Sequence, residues 1–305
     1  MTTIQPDVRL MMSPESEGEI PIEPESRFYL SQRLRLHYVV WGDERRPALV
    51  LVHGGRDHAR NWDPVAEALA GDYAVYAIDL RGHGDSDWAI GSQYSLPEFT
   101  ADLGTFATHL GRDPLLLVGH SLGGAVVLQY AGVSPERVQK VAAIEGLGPS
   151  LVQHEPADLR MRRWFAQLQD FEQRAPRRYT SIVEAVQRMR GANPNLSAEM
   201  AEHLTVHGVK RDEDGHYTWK FDNYVRLRSP YEFNIEDARE LWNQIRCPVL
   251  LVRGDRSGAA DPEHDGKASA FHNYRSVTIE GAGHWVHHDR FEPFLALLRG
   301  FLSGD

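Results

Sequence analysis

Short apolar runs of strand length alternate with longer segments of helical periodicity along most of the chain. Strands that are apolar along their whole length are typical of a parallel sheet with both faces covered. The alternation therefore predicts an α/β fold with a mostly parallel, twisted sheet and helices on both faces. Runs at 27–29 and 34–41 come before it and predict an opening hairpin. The runs that predict the parallel strands are 48–52, 73–78, 115–119, 138–144, 248–253 and 274–280.

This alternation stops after the sixth apolar strand of the chain. Between 146 and 237 no strand-length apolar run occurs, and the sequence becomes heavily charged and helical in its periodicity. We interpret this segment as a helical cap inserted after the sixth strand. The predicted domains are a flexible acidic N-terminal extension at 1–25, an α/β core of 26–145 and 238–305, and the cap of 146–237.

Composition narrows the possible partners. The formal net charge of −10 over 305 residues argues against a nucleic-acid surface and slightly favours neutral or cationic substrates. The single cysteine, Cys247, allows no internal disulfide. The N-terminal segment lacks the basic start and apolar stretch of a secretory signal, and no apolar run approaches the roughly 20 residues of a membrane span. We expect a cytoplasmic protein without a membrane span; the oligomeric state stays open.

One strand runs directly into a serine motif. The apolar run at 115–118 continues into GHSLG at 119–123, and a helical pattern begins there. Gly-x-Ser-x-Gly between a strand and a helix is typical of a nucleophile elbow, a sharp turn that holds the serine in a strained conformation with its hydroxyl exposed. We predict that Ser121 is a nucleophile; an ordinary helix-capping serine is the alternative.

Two glycine-containing segments follow other strand ends: HGGR at 53–56 and GAGH at 281–284. A serine nucleophile needs a base to take its proton and backbone N–H donors to hold the oxyanion. Histidine exchanges protons near neutral pH, so His284 is the candidate base. His53 and His120 are interpreted mainly as core histidines.

These motifs, in this order, resemble the α/β-hydrolase fold superfamily, in its capped serine esterase and lactonase subgroup, over about residues 27–305. The resemblance implies Ser121 as the nucleophile and His284 as the base. It implies an oxyanion hole formed by the backbone N–H groups of Gly55 and Leu122. It implies neither a cofactor nor a metal ion, and a metal site around the histidines at 284–288 is discounted because the triad already explains His284.

The third member of the triad departs from the commonest family pattern. Family members usually carry an Asp three residues beyond the glycine that ends the seventh strand, but Ser257 holds that position after Gly254. Members without this Asp carry a carboxylate 24 residues beyond the nucleophile, and here that position is Glu145. A carboxylate at the end of a buried strand needs a partner, and we expect His284 to be it. The alternatives are Asp255 or Asp261 as the acid, and a structural ion pair between Glu145 and an arginine such as Arg81.

Several side chains are candidates for contact with substrate. Arg56 directly follows Gly55, and it either binds a polar end of the substrate or braces the loop. Aromatic residues of the cap mostly fill its core, but some are expected to roof the pocket. The substrate-contact candidates are Arg56, His120, Trp164, Phe165, Trp219 and Tyr231.

The sequence thus predicts a serine hydrolase that cleaves a carboxylic ester or lactone, a small-molecule substrate, through an acyl-enzyme. C–C bond hydrolysis and cofactor-free perhydrolysis are alternatives that use the same triad. A ligand-binding member of the fold without turnover is an alternative from a different class. Serine at the elbow argues against the dehalogenase and epoxide-hydrolase chemistries, which the similar families run with an Asp nucleophile.

Overall fold

The architecture comes from a computed structural model. The N-terminal extension predicted at 1–25 lies outside the described residues up to 23, and the first strand begins at Glu25. The structure describes residues 24–91, 94–148, 155–227, 229–231 and 233–304.

The strands of the described residues fall into one large sheet and one small hairpin. They are β1 (Glu25–Ser31), β2 (Leu34–Trp41), β3 (Ala48–Val52), β4 (Ala74–Ile78), β5 (Leu115–His120), β6 (Val138–Ile144), β7 (Val209–Arg211), β8 (Tyr217–Trp219), β9 (Val249–Gly254) and β10 (Tyr274–Ile279).

The large sheet has the order β1-β2-β4-β3-β5-β6-β9-β10. The β1–β2 and β2–β4 pairs are antiparallel, and all the other pairs of this sheet are parallel. The carboxyl ends of β3, β5, β6, β9 and β10 therefore meet along one edge. Ligands of such sheets bind outside this edge, and the sequence motifs all follow these strands.

The helices of the described residues lie before, between and after these strands, and none is long and apolar enough to cross a membrane. They are α1 (Asp63–Leu69), α2 (Leu96–Leu110), α3 (Leu122–Val133), α4 (Ala157–Glu172), α5 (Ile182–Ala192), α6 (Ala198–Gly208), α7 (Ile235–Trp242), α8 (Val286–Asp289) and α9 (Phe291–Ser303).

Both faces of the sheet are packed. Every residue of β3, β4 and β5 is buried, as expected for strands covered on both sides. Successive side chains point to opposite faces: Val50 packs into a cluster with residues of α2 and α3, whereas Leu51 packs into a cluster with residues of α1 and α9. The predicted fold class, a mostly parallel sheet with helices on both faces, is confirmed.

The chain between β6 and β9 forms an insertion that is mainly helical. It contains α4, α5, α6 and the β7–β8 hairpin, and its own buried cluster consists of Tyr179, Ala185 and Val209. Helix α7 belongs to the core side, because its Trp242 and Ala238 are buried in the main cluster. The domain limits at 145/146 and 237/238 stay a prediction, although α7 already begins at Ile235.

The sequence pattern at 262–271 predicts a helix, but the structure has no α-helix there. Asp261 accepts a hydrogen bond from the Glu263 N–H at 3.0 Å, and Asp265 accepts one from the Lys267 N–H at 3.1 Å. Such local side-chain bonds compete with helix formation. Gly266, at φ 72°, turns the chain further, and only a short 3₁₀ turn at Ala268–Ala270 remains.

Candidate active site

Ser121 lies at a sharp turn between β5 and α3. Its backbone has φ 52° and ψ −114°, a positive φ that residues other than glycine rarely adopt. The turn is held because the Ser121 N–H donates to the Ile144 carbonyl at 2.8 Å and the Ala125 N–H donates to the Ser121 carbonyl at 3.1 Å. The Ser121 side chain makes no capping hydrogen bond to the helix. The geometry is that of a strained elbow and does not fit a helix-capping serine.

The glycines around Ser121 are required by close backbone contacts. A Cβ on Gly119 would lie 2.2 Å from the carbonyl oxygen of Gly123. A Cβ on Gly123 would lie 2.2 Å from the carbonyl oxygen of Val52. Contacts this short do not occur for real side chains, so both positions accept only glycine. The motif therefore lets helix α3 approach the ends of β3 and β5.

Glu145 follows β6 directly and points towards His284. Its side chain is fully buried, and its Oε2 lies 3.4 Å from Nδ1 of His284. The Gly254 N–H donates to Oε1 at 2.8 Å, and the Ser257 hydroxyl donates to Oε2 at 2.5 Å. Ser257 is the residue that replaces the usual Asp. It therefore supports the candidate acid, Glu145.

The other candidate acids are engaged elsewhere. Asp255 is exposed and accepts a hydrogen bond from the Gly281 N–H at 2.7 Å. Asp261 lies in the turn described above, 3.5 Å from the Arg253 guanidinium. These contacts favour Glu145 as the partner of His284.

The structural alternative for Glu145, an ion pair with Arg81, is not formed. Arg81 instead makes a two-point ion pair with Asp102, at 2.6 and 2.7 Å, and both side chains are buried. The prediction of an Arg81–Glu145 pair is wrong because Asp102 of α2 occupies the guanidinium.

His284 sits on the loop after β10, with 38% of its side chain exposed. His120 is buried beside it, and Nε2–H of His120 donates to the His284 carbonyl at 2.8 Å. The two rings are 4.8 Å apart. Burial holds the pKa of His120 well below its usual range, so it stays neutral. This contact favours a role for His120 in bracing the His284 loop over one in binding substrate. Because His120 directly precedes Ser121, the contact also holds the His284 loop near the elbow.

The turn after β3 packs against the elbow. A Cβ on Gly54 would lie 3.3 Å from Cβ of Ser121 and 2.8 Å from Nδ1 of His120. A Cβ on Gly55 would meet only Cδ2 of Leu122, at 4.0 Å. A side chain therefore has no room at position 54, whereas position 55 has room for one. Gly55 lies next to Leu122, the first residue of α3, where backbone N–H groups have no partner within the helix.

His53 holds the base of this turn. Its ring is fully buried, Nε2 accepts from the Leu80 N–H at 3.1 Å, and Nδ1–H donates to the Gly54 carbonyl at 2.7 Å. Burial lowers the pKa of His53 to about 3. The contacts are those of a neutral structural histidine.

The substrate-contact candidates separate into two groups. Arg56 and Trp219 line a cavity of about 250 Å³ together with Gly55 and Trp285. Tyr231 is 79% exposed and lines a different cavity of about 530 Å³. Trp285 is a lining residue of this cavity that the sequence analysis did not name. The available signal was its position directly after His284.

The remaining aromatic candidates lie on α4. Trp164 and Phe165 contact each other, with ring centroids 5.3 Å apart, and Phe165 is 52% exposed. Neither lines the cavity with Arg56 and Trp219. The structure does not bring them to the candidate site.

Two clusters of the described residues have the donor types of a metal site. Asp63, His203 and His207 bring ligand atoms within 4.8 Å of one another, and so do His37, Asp79 and Asp85. The carboxylate of Asp63 already binds the Arg60 guanidinium at 2.7 and 2.8 Å. A cation held there by the protein itself disfavours a metal ion.

The carboxylate of Asp79 is also occupied. It binds Nδ1 of His37 at 2.6 Å and accepts from the backbone N–H groups of Ala59 and Asp85 at 2.6 and 2.9 Å. These partners come from three separate segments of the core. They make Asp79 the centre of a structural turn.

Comparison with known proteins finds both an esterase and epoxide hydrolases among the relatives that are 25–26% identical. The family model described as the alpha/beta hydrolase family matches residues 49–297. An esterase of Mycobacterium tuberculosis is 26% identical over 269 residues, which cover 86% of this chain and 85% of that protein. A 3-hydroxybutyrate-oligomer hydrolase of Cupriavidus necator is 35% identical over 241 residues, covering 73% and 77%. The solved thioesterase domain from the curacin biosynthetic pathway superposes with a TM-score of 0.79 at 26% identity, covering 90% of this chain and 99% of that one.

Proposed function

The chain belongs to the alpha/beta hydrolase family, and on this premise we propose that it is a serine hydrolase that cleaves a carboxylic ester or lactone through an acyl-enzyme. The observation that carries the proposal is the strained Ser121 elbow together with the buried Glu145 carboxylate, 3.4 Å from Nδ1 of His284. A nucleophile on a strained turn and a base oriented by a carboxylate are the parts that acyl transfer requires.

In the first half of the reaction, the Ser121 hydroxyl attacks the ester carbonyl and its proton passes to Nε2 of His284. The N–H groups of Gly55 and Leu122 hold the oxyanion of the tetrahedral intermediate. The C–O bond to the leaving alcohol then breaks, and the proton on His284 passes to the alcohol oxygen. The product of this half is an ester between the acyl group and Ser121.

In the second half, water takes the place of the alcohol. His284 accepts a proton from the water as it attacks the acyl-enzyme, and it returns this proton to the Ser121 oxygen as the carboxylic acid leaves. Glu145 accepts a hydrogen bond from Nδ1–H throughout, which fixes the tautomer of His284 and stabilises its charged form. The Gly254 and Ser257 donors in turn fix Glu145.

The insertion acts as a cap in this proposal. Trp219 of the insertion lines the same cavity as Gly55 and Trp285 of the core. A roof of this kind excludes water and shapes the pocket for substrate. Relatives named as an esterase and a 3-hydroxybutyrate-oligomer hydrolase support ester cleavage. Other relatives, 25–26% identical, are named epoxide hydrolases, so the preference for ester cleavage rests on serine in place of Asp at the elbow.

The test is pre-steady-state release of p-nitrophenol from a set of aryl esters. We expect a burst of about one equivalent per chain, or sustained turnover, and its loss in Ser121→Ala. The matched control is Ser269→Ala, at an exposed position whose hydroxyl donates to the Gly266 carbonyl. No Ser121-dependent release from any ester of the set would contradict the proposal and indicate a ligand-binding member of the fold.

A further inference from the structure

Two adjoining cavities meet above the candidate active site. The first, of about 250 Å³, includes Gly55 and Trp285 in its lining, and the second, of about 560 Å³, lies under the β7–β8 hairpin and the segment after α4. They share four lining residues and form one cleft, here named the arginine cleft. The shared residues are Arg188, Trp219, Phe221 and Arg226.

The arginine cleft is strongly cationic within a chain whose net charge is −10. Asp57 is the only acidic residue that the two linings contain within the described ranges. Burial raises the pKa of the Asp57 carboxyl, which favours its uncharged form. The cationic residues of the linings are Arg56, Arg174, Arg177, Lys210 and the shared Arg188 and Arg226.

Most of these cations have no counterion among the described residues. Arg174 pairs with Asp170, and Lys210 lies over the ring of Trp88 at 4.4 Å. Arg226 lies over the ring of Phe221 at 5.1 Å, but neither it nor Arg56 nor Arg188 forms an ion pair with any residue that the structure describes. Exposed arginines elsewhere in the insertion do find partners, since Arg178 binds both Asp212 and Asp214.

The unpaired guanidinium groups act on one another. The pKa of Arg226 is lowered, first by its partial burial and then by the positive charges of Arg56 and Arg188. Three like charges gathered around one cavity repel each other, and an anion placed between them removes this cost. Guanidinium groups bind carboxylate and phosphate oxygens in two-point contacts, so the cleft matches those anions.

The cleft also leads to the reacting groups. Gly55 of its lining is the candidate oxyanion donor, and Trp285 of its lining follows the candidate base. Trp219, Phe221 and Trp285 add apolar surface to the same lining. A substrate whose reacting carbonyl lies at Gly55 can therefore rest an apolar chain on these rings and direct a second, polar end to the guanidinium groups of Arg188 and Arg226.

We propose that the arginine cleft is a binding subsite for an anionic group, a carboxylate or a phosphate, carried by the ester at the end remote from the bond that is cleaved. The inference rests on the proposed ester hydrolysis for its catalytic consequence, while the binding of the anion does not depend on it. The net charge of the chain led to the expectation that neutral or cationic substrates are favoured. The proposal differs from it, because the net charge does not describe the charge of a cleft with six cations in its lining.

The catalytic test compares the mono-p-nitrophenyl ester of suberic acid with the same compound methylated at its free carboxyl. The two differ only in the negative charge. We expect the wild type to have a kcat/KM at least about tenfold higher for the charged ester, and Arg188→Gln to lower this ratio about tenfold, since one charge-assisted contact is lost. The matched control is Arg190→Gln on the same helix, which lies two residues away, on a different face, and outside the cleft lining.

The binding test uses Ser121→Ala, which separates the subsite from catalysis. Pyrophosphate and suberate are titrated by calorimetry into this variant with and without Arg188→Gln or Arg190→Gln. We expect at least one anion to bind, with an affinity that Arg188→Gln weakens about tenfold and Arg190→Gln does not; the tighter anion identifies phosphate or carboxylate as the natural group. Binding without any ester hydrolysis by the wild type would refute the proposed function and keep the subsite. Absence of binding by both anions, or equal effects of the two arginine substitutions, would overturn the subsite.

Discussion

The edge of the sheet around Ser121 and the insertion above it are built in opposite ways. At the edge, backbones approach so closely that Gly119 and Gly123 accept no side chain, and the buried Glu145 has a hydrogen-bond donor on each of its oxygens. In the insertion, α4 contains no buried residue, and the Arg188 and Arg226 charges lack counterions among the described residues. The candidate nucleophile and acid are thus placed in closely packed surroundings, and the groups that would choose a substrate are placed on a loosely packed insertion.

This difference has an energetic basis. Ser121 and Glu145 both have positive φ, at 52° and 55°, and such backbone strain persists only where the surroundings dictate the conformation. Exposed arginines that line a cleft require no such support. Substitutions at the sheet edge should therefore strongly lower kcat or the free energy of unfolding. Substitutions in the insertion should change substrate selectivity with little effect on folding.

The largest expected effect is at the carboxylate. Glu145→Gln keeps the size of the side chain but removes the charge that orients His284 and stabilises its protonated form. We expect kcat for aryl esters to fall by about 10⁴-fold, on the order of 5.5 kcal/mol in the barrier, with the fold intact. Steady-state kinetics and a thermal melt measure the two parts.

Asp255→Asn is the matched control for this substitution. Asp255 follows β9, and its side chain binds only the Gly281 N–H among the contacts that the structure describes, so loss of its charge should change kcat by a small factor. A larger loss of kcat in Asp255→Asn than in Glu145→Gln would overturn the assignment of the acid.

How far the sequence alone leads also differs between the two regions. At the edge, the chain order of the motifs predicts which strand ends carry the candidate chemistry, because parallel strands bring their carboxyl ends to one side. The choice of Glu145 comes from the spacing that the family resemblance implies. The replacement of the usual Asp by Ser257 was visible, but its hydrogen bond to Glu145 depends on side-chain direction and needed the structure.

In the insertion, the sequence predicts helices but not which side of each helix faces the cavity. Helical periodicity places apolar positions on one side without saying what covers them, and so Tyr231 and Phe165 were grouped with Trp219, although only Trp219 lines the cavity beside Gly55. Arg188 and Arg226 come from α5 and from a 3₁₀ turn at Asn223–Arg226. Their presence in one cavity lining depends on the tertiary structure and has no local signal in the sequence.

The second prediction compares one glycine from each region. Gly123→Ala places a methyl group 2.2 Å from the Val52 carbonyl, so α3 must shift away from β3, at a cost of about 3 kcal/mol or more in the free energy of unfolding. Gly191 lies in α5, and a methyl group there would have no atom within 4 Å, so Gly191→Ala should instead stabilise by about 0.5 kcal/mol. Urea unfolding measures both. Equal effects would show that the two regions do not differ in packing.

The third prediction concerns acid. Burial lowers the pKa of His53 to about 3 in the folded protein, against about 6.5 for an unfolded chain. Between these values the unfolded state binds the extra proton, so the contribution of His53 is constant above pH 6.5 and falls by about 1.4 kcal/mol per pH unit below it. At pH 4.5 the loss amounts to about 2.7 kcal/mol.

Urea unfolding of the wild type and of His53→Gln across pH 4.5–7.5 tests this slope. The variant should lose stability less steeply towards acid, whatever its stability at neutral pH. His264→Gln, at a side chain that is 88% exposed, is the control and should keep the wild-type slope. If His53→Gln does not fold, titration of the His53 ring by NMR in the wild type is the second measurement, and a ring that protonates near pH 6.5 would contradict the buried neutral histidine.

The smallest expected effect is at Ser257. It tests whether a residue outside the candidate triad helps to orient the Glu145 carboxylate. The Ser257 hydroxyl donates to the same Oε2 of Glu145 that lies 3.4 Å from His284, and it also accepts from the Ala259 N–H at 3.0 Å. Ser257→Ala should lower kcat about tenfold, about 1.4 kcal/mol, and leave KM unchanged, because the carboxylate loses a partner that fixes its direction while the binding cavity keeps its lining. Ser257→Thr restores the hydroxyl and should recover most of kcat. A fall in thermal stability with unchanged kcat in Ser257→Ala would mean that Ser257 only holds its own turn, and that the orientation of Glu145 depends on the Gly254 N–H and the strained backbone alone.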